Sequence, residues 1–467
     1  MSLSGKNNID WPAFQAALGD LPTIDAPAMV KQRSRDFFWY SPVLNRKLSG
    51  SVGDLVAQPR SQAELERCLR LAFEYQAPVV LRGGGTGNYG QAVPLDGGLI
   101  VDMTGLDAIL EIGPDFVRVQ AGCKIRKLND ALKEHGQELP IFPSTQDIAT
   151  IGGFIAGGSA GIGSLEHGML RDPGNVLRLT VLSLEAVPQL HVFTGADINL
   201  IHHAWGINGV ILDLTLKTVP ARDWINCIAS FPTYRAAYAA GIMLSGQAGL
   251  RLKMLSIIDA RIAHYFNQLK GRLDPDRALL LSLVDRADTA LFADRVTAAG
   301  GRVELVLADH ELRAAGLPHV FEFSYNHTTL QVLKTDKTIT YLQVLFPAPL
   351  DPAKIDELQP LFGDEVLMHH EFSRLNGELV TFDLPIVRYT TDQRLYEIMA
   401  IYADHGCPVS DPHTYIIEEG GMKSADYRHL AIKKRLDPAG LLNSGKSREW
   451  ARVKDMDPDA IAALHTE

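Results

Sequence analysis

Residues 82–98 read RGGGTGNYGQAVPLDGG, which puts seven glycines into seventeen positions between the apolar runs PVVL and LIVDM. So little side chain makes a stretch costly to order, and it persists where the backbone must turn sharply or admit something close. Glycine amides that turn inward form a concavity for an anion, so a phosphate or pyrophosphate is the expected ligand. Two familiar loops fail here. A P-loop closes with Gly-Lys-Ser/Thr, whereas Gly90 is followed by Gln91 and Ala92. Gly85, Gly87 and Gly90 satisfy G-x-G-x-x-G, yet a dinucleotide fold needs a helix to begin inside that motif. Pro94, Gly97 and Gly98 prevent one, and the order is strand, loop, strand.

The surroundings are those of a globular protein. The chain has 467 residues, 46% hydrophobic and 21% charged, enough for two or three domains with cores of their own. No run stays apolar for the ~18 residues of a membrane span. The opening MSLSGKNNIDWPAFQ lacks a secretory pattern, so the expected compartment is the cytosol. Cys68, Cys123, Cys227 and Cys407 are scattered, without the spacing of a zinc site or a disulfide scaffold. A formal charge of −10, from 45 basic and 55 acidic residues, argues against a grip on nucleic acid and for a small-molecule partner.

Four segments are expected. Residues 1–50 form an arm anchored by Trp11, Phe14, Leu18 and the aromatic run 37–40. Residues 51–220 alternate short elements. VGDLVA, PVVLRG, LIVDM, FVRVQAG, LRLTVLSLE, LHVFTG and GVILDLTLKTV read as strands. Ser61 and Glu64 open a helix with Leu65, Cys68, Leu69 and Ala72 on one face, and Ile125, Leu128 and Leu132 mark another, closed by Gly136. Residues 221–400 change texture, with the helical pattern YRAAYAAGIMLSGQAG and the strand TITYLQVLF, which predicts a second α+β domain. Residues 401–467 return to the first domain through DPAGLLNSGK.

RGGGTGNYGQAVPLDGGLIVDM, PSTQDIATIGGFIAGG from Pro143, HGMLRD from His167 and DPAGLLNSGK from Asp437 occur in that order. Together they resemble the pyrophosphate loop, second flavin-lining tract, following turn and closing signature of the vanillyl-alcohol oxidase / p-cresol methylhydroxylase flavoproteins, especially the glycolate oxidase and D-lactate dehydrogenase-like branch. The resemblance covers residues 50–220 and 400–450 and implies an α+β fold, with FAD in a two-subdomain domain under an α+β cap. It implies that Arg82, Gly83, Gly84, Gly85, Thr86 and Gly87 meet the pyrophosphate, an ion pair being the alternative for Arg82. It implies further that Pro143, Thr145, Thr150, Gly152 and Gly153 line flavin and ribityl, and that Gly157, Arg171 and Val210 or Ile211 lie around ribityl and adenine. Thr86 stands where some branches carry a flavin-attaching histidine, so FAD is expected to be non-covalent. The branch's H-x-G-D-G-N-x-H metal motif is missing, and no metal is expected.

With flavin as hydride acceptor, the protein needs only a base for the substrate hydroxyl and a group for a carboxylate or oxyanion. MHHEFSR gathers His369, His370, Glu371 and Arg374, and strand alternation puts His369 and Glu371 on one face. LPIVRY offers Arg388 and Tyr389. DPHTYIIEEGG offers His413, Tyr415, Glu418 and Glu419 where relatives carry a flavin-facing segment, and YNHTTLQVLK, read as a polar strand, offers His327. Each also has a plain structural reading, as a packed histidine or an interdomain ion pair. The expected catalytic set is His413, His369, Arg388, Glu371 and Glu418. The expected activity is oxidation of a small alcohol or 2-hydroxyacid by hydride transfer to FAD, with oxygen, a quinone or a protein as electron acceptor. A flavin-dependent double-bond reductase and a non-catalytic FAD-binding subunit are the alternatives, and a homodimer is compatible with all three.

Overall fold

The computed structural model describes residues 9–420 and 427–464. The first eight residues of the arm, the last glycine of DPHTYIIEEGG and residues 465–467 lie outside them. The strand Val79–Arg82, which delivers the chain into the glycine loop, lies parallel to Leu99–Asp102, which lies parallel to Leu55–Ala57. Parallel strands need a crossover, and the helix Gln62–Glu74 supplies the one from Leu55–Ala57 to Val79–Arg82, which flank Leu99–Asp102. Ser61 Oγ accepts the Glu64 N–H at 3.2 Å to start this helix, and Leu65, Cys68, Leu69 and Ala72 are its buried face. The arm contributes the short outer strand Thr23–Ile24 and packs Phe14 and Leu18 into the same core. At the opposite edge residues 441–443 extend the sheet, with Val79 N donating to Leu441 O at 2.9 Å and Asn443 N to Val79 O at 2.7 Å.

A second sheet is antiparallel, in the order Ile109–Ile112, Phe116–Gln120, Val210–Lys217, Val176–Leu182, Leu190–Thr194. A third, of seven antiparallel strands, runs Arg302–Leu307, Trp224–Phe231, Ala278–Asp285, Leu252–Ile258, His369–Leu375, Glu378–Asp383, Val344–Phe346. The helix Tyr234–Ser245 packs Ala237, Tyr238 and Leu244 onto it. No helix among the described residues is long and apolar enough to cross a membrane.

Two expected strands come out differently. TITYLQVLF divides into Ile339–Tyr341, which joins a small sheet with Ile386–Arg388, and Val344–Phe346, the edge of the large sheet. The break falls at Leu342 and Gln343, where Gln343 O accepts the Ser410 N–H at 2.8 Å. The polar strand read in YNHTTLQVLK is instead the helix Asn326–Leu333. Its paired threonines favour a strand by propensity, but Thr328 bonds back to Phe323 O at 2.7 Å and Val332 and Leu333 bury against the core.

One buried ion pair joins the second and third sheets' surroundings. Lys253 Nζ lies 2.7 Å from Glu138 Oε1, Trp224 Nε1 donates to the same carboxylate at 2.9 Å, and the ammonium sits over the Phe142 and Trp224 rings at 5.0 and 5.4 Å. Burial pushes the Lys253 pKa below its ordinary value despite this company. Removing one partner should strand the other charge. Lys253→Met is expected to cost about 3–5 kcal/mol in urea unfolding, and adding Glu138→Leu to restore a large part of the loss.

Candidate functional site

The glycine loop is held from outside by its carbonyl oxygens. Phe37 N donates to Gly87 O at 2.7 Å, Lys446 Nζ to Gly90 O at 2.5 Å, and Asn443 Nδ2 to Gln91 O at 2.9 Å. Among the described residues no backbone N–H of residues 84–91 donates a hydrogen bond. Eight consecutive unpaired amides beside a cavity are what an anion-binding nest requires. The cavity, about 340 Å³, lies between this loop, the tract after Pro143 and the large sheet.

Amides of the second tract, by comparison, find acceptors within the protein. Ile151 and Gly152 donate to Cys123 O and Ala121 O, and Gly153 to Thr150 Oγ1, so it forms a firm plate. The loop presses on that plate. A Cβ on Gly83 would stand 2.0 Å from Thr150 Oγ1, and one on Gly84 would stand 2.2 Å from Ile148 O. Gly85 has φ +65°, a conformation side chains resist, with the Arg82 guanidinium where its Cβ would go.

Below the loop lie three buried charges. Arg82 donates to Arg35 O at 2.6 Å and leaves Nε without a partner, while Asp36 accepts from Phe38 N and Ala92 N. Burial opposes charge on each: it raises the Asp36 pKa and lowers those of Arg82 and Lys446. Trp205, which lines the cavity, stacks on Tyr89 at 5.8 Å, and its buried Nε1 has no partner. Open amides and orphaned donors along one continuous wall fit FAD, whose pyrophosphate and ring edges are rich in acceptors. Thr86 lies in that wall and offers no histidine for a covalent link.

Opposite stand the large sheet and residues 325–327. Glu371 is 2% exposed and held by three donors: Tyr325 N at 2.6 Å, His369 Nε2 at 2.6 Å in the tautomer that protonates it, and Ser256 Oγ. Tyr325 takes φ +53°, ψ −146°, a strained conformation for a residue with a side chain. Asn326, His327, Gln343, Ser373 and Phe382 complete this wall, with His327 Nδ1 3.0 Å from Glu322 Oε2.

Of the residues singled out from sequence, Arg82, Gly83, Gly84, Gly85, Thr86, Gly87, Pro143, Thr145, Thr150, Gly152, Gly153, Gly157, Ile211 and Glu371 line the cavity. His369 stands behind Glu371. Val210 does not line it, because strand alternation turns it into the core beside Leu182 and Leu212 while Ile211 faces in. Arg171 opens onto a second cavity. Arg388 is exposed at the end of its strand. Glu418 accepts from Ser447 Oγ and from the backbone of Arg448 and Glu449, holding the turn before the helix Trp450–Val453. His413 is fully buried with Nδ1 2.7 Å from Ser41 Oγ, the cap of the helix Pro42–Leu48, and lies outside the cavity wall. Sequence reasoning passed over Tyr325, Gln343, Trp205 and Asp36. None sits in a spaced motif, although the Tyr-Asn-His run did stand out as polar.

Two outcomes follow from this geometry. Gly84→Ala should force loop and plate apart and strip most of the FAD from purified protein, read from visible flavin absorbance relative to the protein band. Burial also holds the His413 pKa down from 6.5 to about 3. The unfolded chain then binds one proton more across that window, so stability is complete above pH 6.5 and falls as pH drops. The wild type should lose up to about 1.4 kcal/mol per pH unit there relative to His413→Gln, measured by denaturant unfolding at several pH values.

Comparison with known proteins agrees with the site. Residues 53–185 match a family model described as an FAD binding domain. The chain is 24% identical over 430 residues to a D-lactate dehydrogenase of Archaeoglobus fulgidus, covering 84% of this chain and 90% of that one. It is 28% identical over 248 residues to the glycolate oxidase subunit GlcD of Escherichia coli K12, a match spanning about half of each chain (49% and 48%). Among solved structures, an alkyldihydroxyacetonephosphate synthase superposes with a TM-score of 0.69 at 15% identity, over 92% of this chain and 86% of the other, and so shares the fold. With the amide nest and the plate placed as they are, residues 53–185 form an FAD-binding domain, in a chain similar along most of its length to a D-lactate dehydrogenase.

Proposed function

We propose that the protein oxidises a small 2-hydroxyacid to the corresponding oxo acid, with residues 51–220 holding non-covalent FAD, residues 221–400 capping it and residues 401–467 closing the loop. The observation that carries this reading is Glu371, a buried carboxylate fixed on three donors and facing the glycine tracts across one cavity. FAD, when bound, supplies the acceptor for the hydride that leaves the substrate carbon. Glu371 takes the hydroxyl proton, so the substrate gives up one hydride and one proton as its C–O bond becomes a carbonyl. His369 positions that carboxylate from behind. Asn326, His327, Gln343 and Ser373 are polar groups of the cap wall available to a substrate carboxylate, and among the described residues this wall holds no arginine.

Similarity to a D-lactate dehydrogenase along most of the chain supports the hydroxyacid class. The four free, buried cysteines suit a reducing compartment, in keeping with work in the cytosol. The two electrons pass on to an acceptor of separate identity, whether oxygen, a quinone or a protein.

An anaerobic flavin spectrum tests the reading. Addition of D- or L-2-hydroxyacids should bleach the flavin band, and Glu371→Gln should retain FAD while slowing the bleaching by about 10²–10⁴-fold in stopped flow. If only dithionite bleaches it, oxidation is the wrong direction and the reductase or subunit reading replaces this one.

A further inference from the structure

Beside the flavin cavity lies a second, of about 540 Å³, that shares Ser159, His203 and Phe382 with the first. The two are one side chain apart. His203 is tied into the partition: its N–H donates to Ile155 O at 3.0 Å, and its Nδ1 lies 3.1 Å from Gly158 O and 3.2 Å from Ser159 Oγ. The second flavin-lining tract thus forms the floor of one cavity and the back wall of the other.

The lining of this second cavity is basic, in a chain whose formal charge is −10. Arg171, Arg428 and Arg435 face it, with His202 and His429 nearby, and Asp197 is the carboxylate in its wall. Arg435 pairs with Asp459. His429 Nε2 lies 2.8 Å from Asn199 O. Among the described residues Arg171 has no partner for its guanidinium, and only its carbonyl is engaged, by Asn199 Nδ2 at 3.4 Å. The turn that presents it is closed on itself: Asp172 Oδ2 accepts Met169 N at 2.8 Å, and Asp172 N donates to Met169 O at 3.0 Å. This leaves Arg171 directed away from the flavin cavity. Leu345, Leu375, Phe382 and Pro408 give the wall an apolar stretch, beside the polar Ser159, Asn199 and Ser410.

We propose that this second cavity binds an organic-acid anion, its carboxylate on Arg171 and its carbon chain against Leu345, Leu375 and Phe382, next to the flavin site. An arginine fork matches a carboxylate, and a basic rim in an acidic protein concentrates anions where they are needed. An inorganic anion would satisfy the arginine and leave the apolar wall bare. The inference rests on the hydroxyacid reading for its choice of ligand.

The test is calorimetric titration of the FAD-loaded protein with 2-hydroxyoctanoate, the neutral 1,2-octanediol and inorganic phosphate, on wild type, Arg171→Ala and Arg171→Glu. The acid should bind more tightly than diol or phosphate. Arg171→Ala should weaken it by about tenfold, the order expected for one charge-assisted contact, and Arg171→Glu by more, with flavin content unchanged. Equal affinity for the acid in wild type and Arg171→Glu overturns the proposal, and so does phosphate binding as tightly as the acid. Flavin bleaching that ignores Arg171 leaves the hydroxyacid reading standing and removes this site. Arg171-dependent binding without any bleaching does the reverse.

Discussion

A peptide plane carries its C=O and N–H on opposite sides, so a loop gripped by its carbonyls presents its amides the other way. Phe37, Asn443 and Lys446 grip the glycine loop in this manner, and the concavity exists because they do. Lys446 is fully buried, a position that opposes its charge, and Asp36 lies close enough to favour that charge. The closing signature Asp437-to-Lys446 is therefore part of the loop's anchorage although it lies hundreds of residues from the loop. Asp437 organises it, accepting from Leu441 N, Leu442 N and Lys433 Nζ.

The cap answers this with an over-determined carboxylate. The donors to Glu371 come from three separate segments, the strands Leu252–Ile258 and His369–Leu375 and the Tyr325 backbone. Moving Ser256 or the Tyr325 backbone alone leaves the other and His369 in place, so the carboxylate keeps its aim. Tyr325 is strained in its backbone, and its N–H is the group Glu371 holds.

Strand, loop, strand around residues 82–98 was readable because Pro94, Gly97 and Gly98 forbid a helix, and period-two alternation paired His369 with Glu371 correctly. The loop's purpose was only half readable. Gly83 and Gly84 make room for the second tract rather than for a ligand alone, since the clashing atoms belong to Thr150 and Ile148. Such a contact between distant segments leaves no local mark. The same holds for His413: a histidine in a flavin-facing segment reads as a base, and only the fold shows that Ser41 of the arm has claimed it. Asn326–Leu333 misled for another reason, because tertiary burial outweighed the strand preference of its threonines.

The grip on the glycine loop also has an order in time. Phe37 leaves the ribosome before the loop, but Asn443 and Lys446 follow it by some three and a half hundred residues. Until they emerge, of these three anchors only Phe37 can hold the loop, at Gly87 O. The full grip thus waits for synthesis of nearly the whole chain, and a nascent fragment that stops before residue 443 has the glycine loop without two of its three anchors.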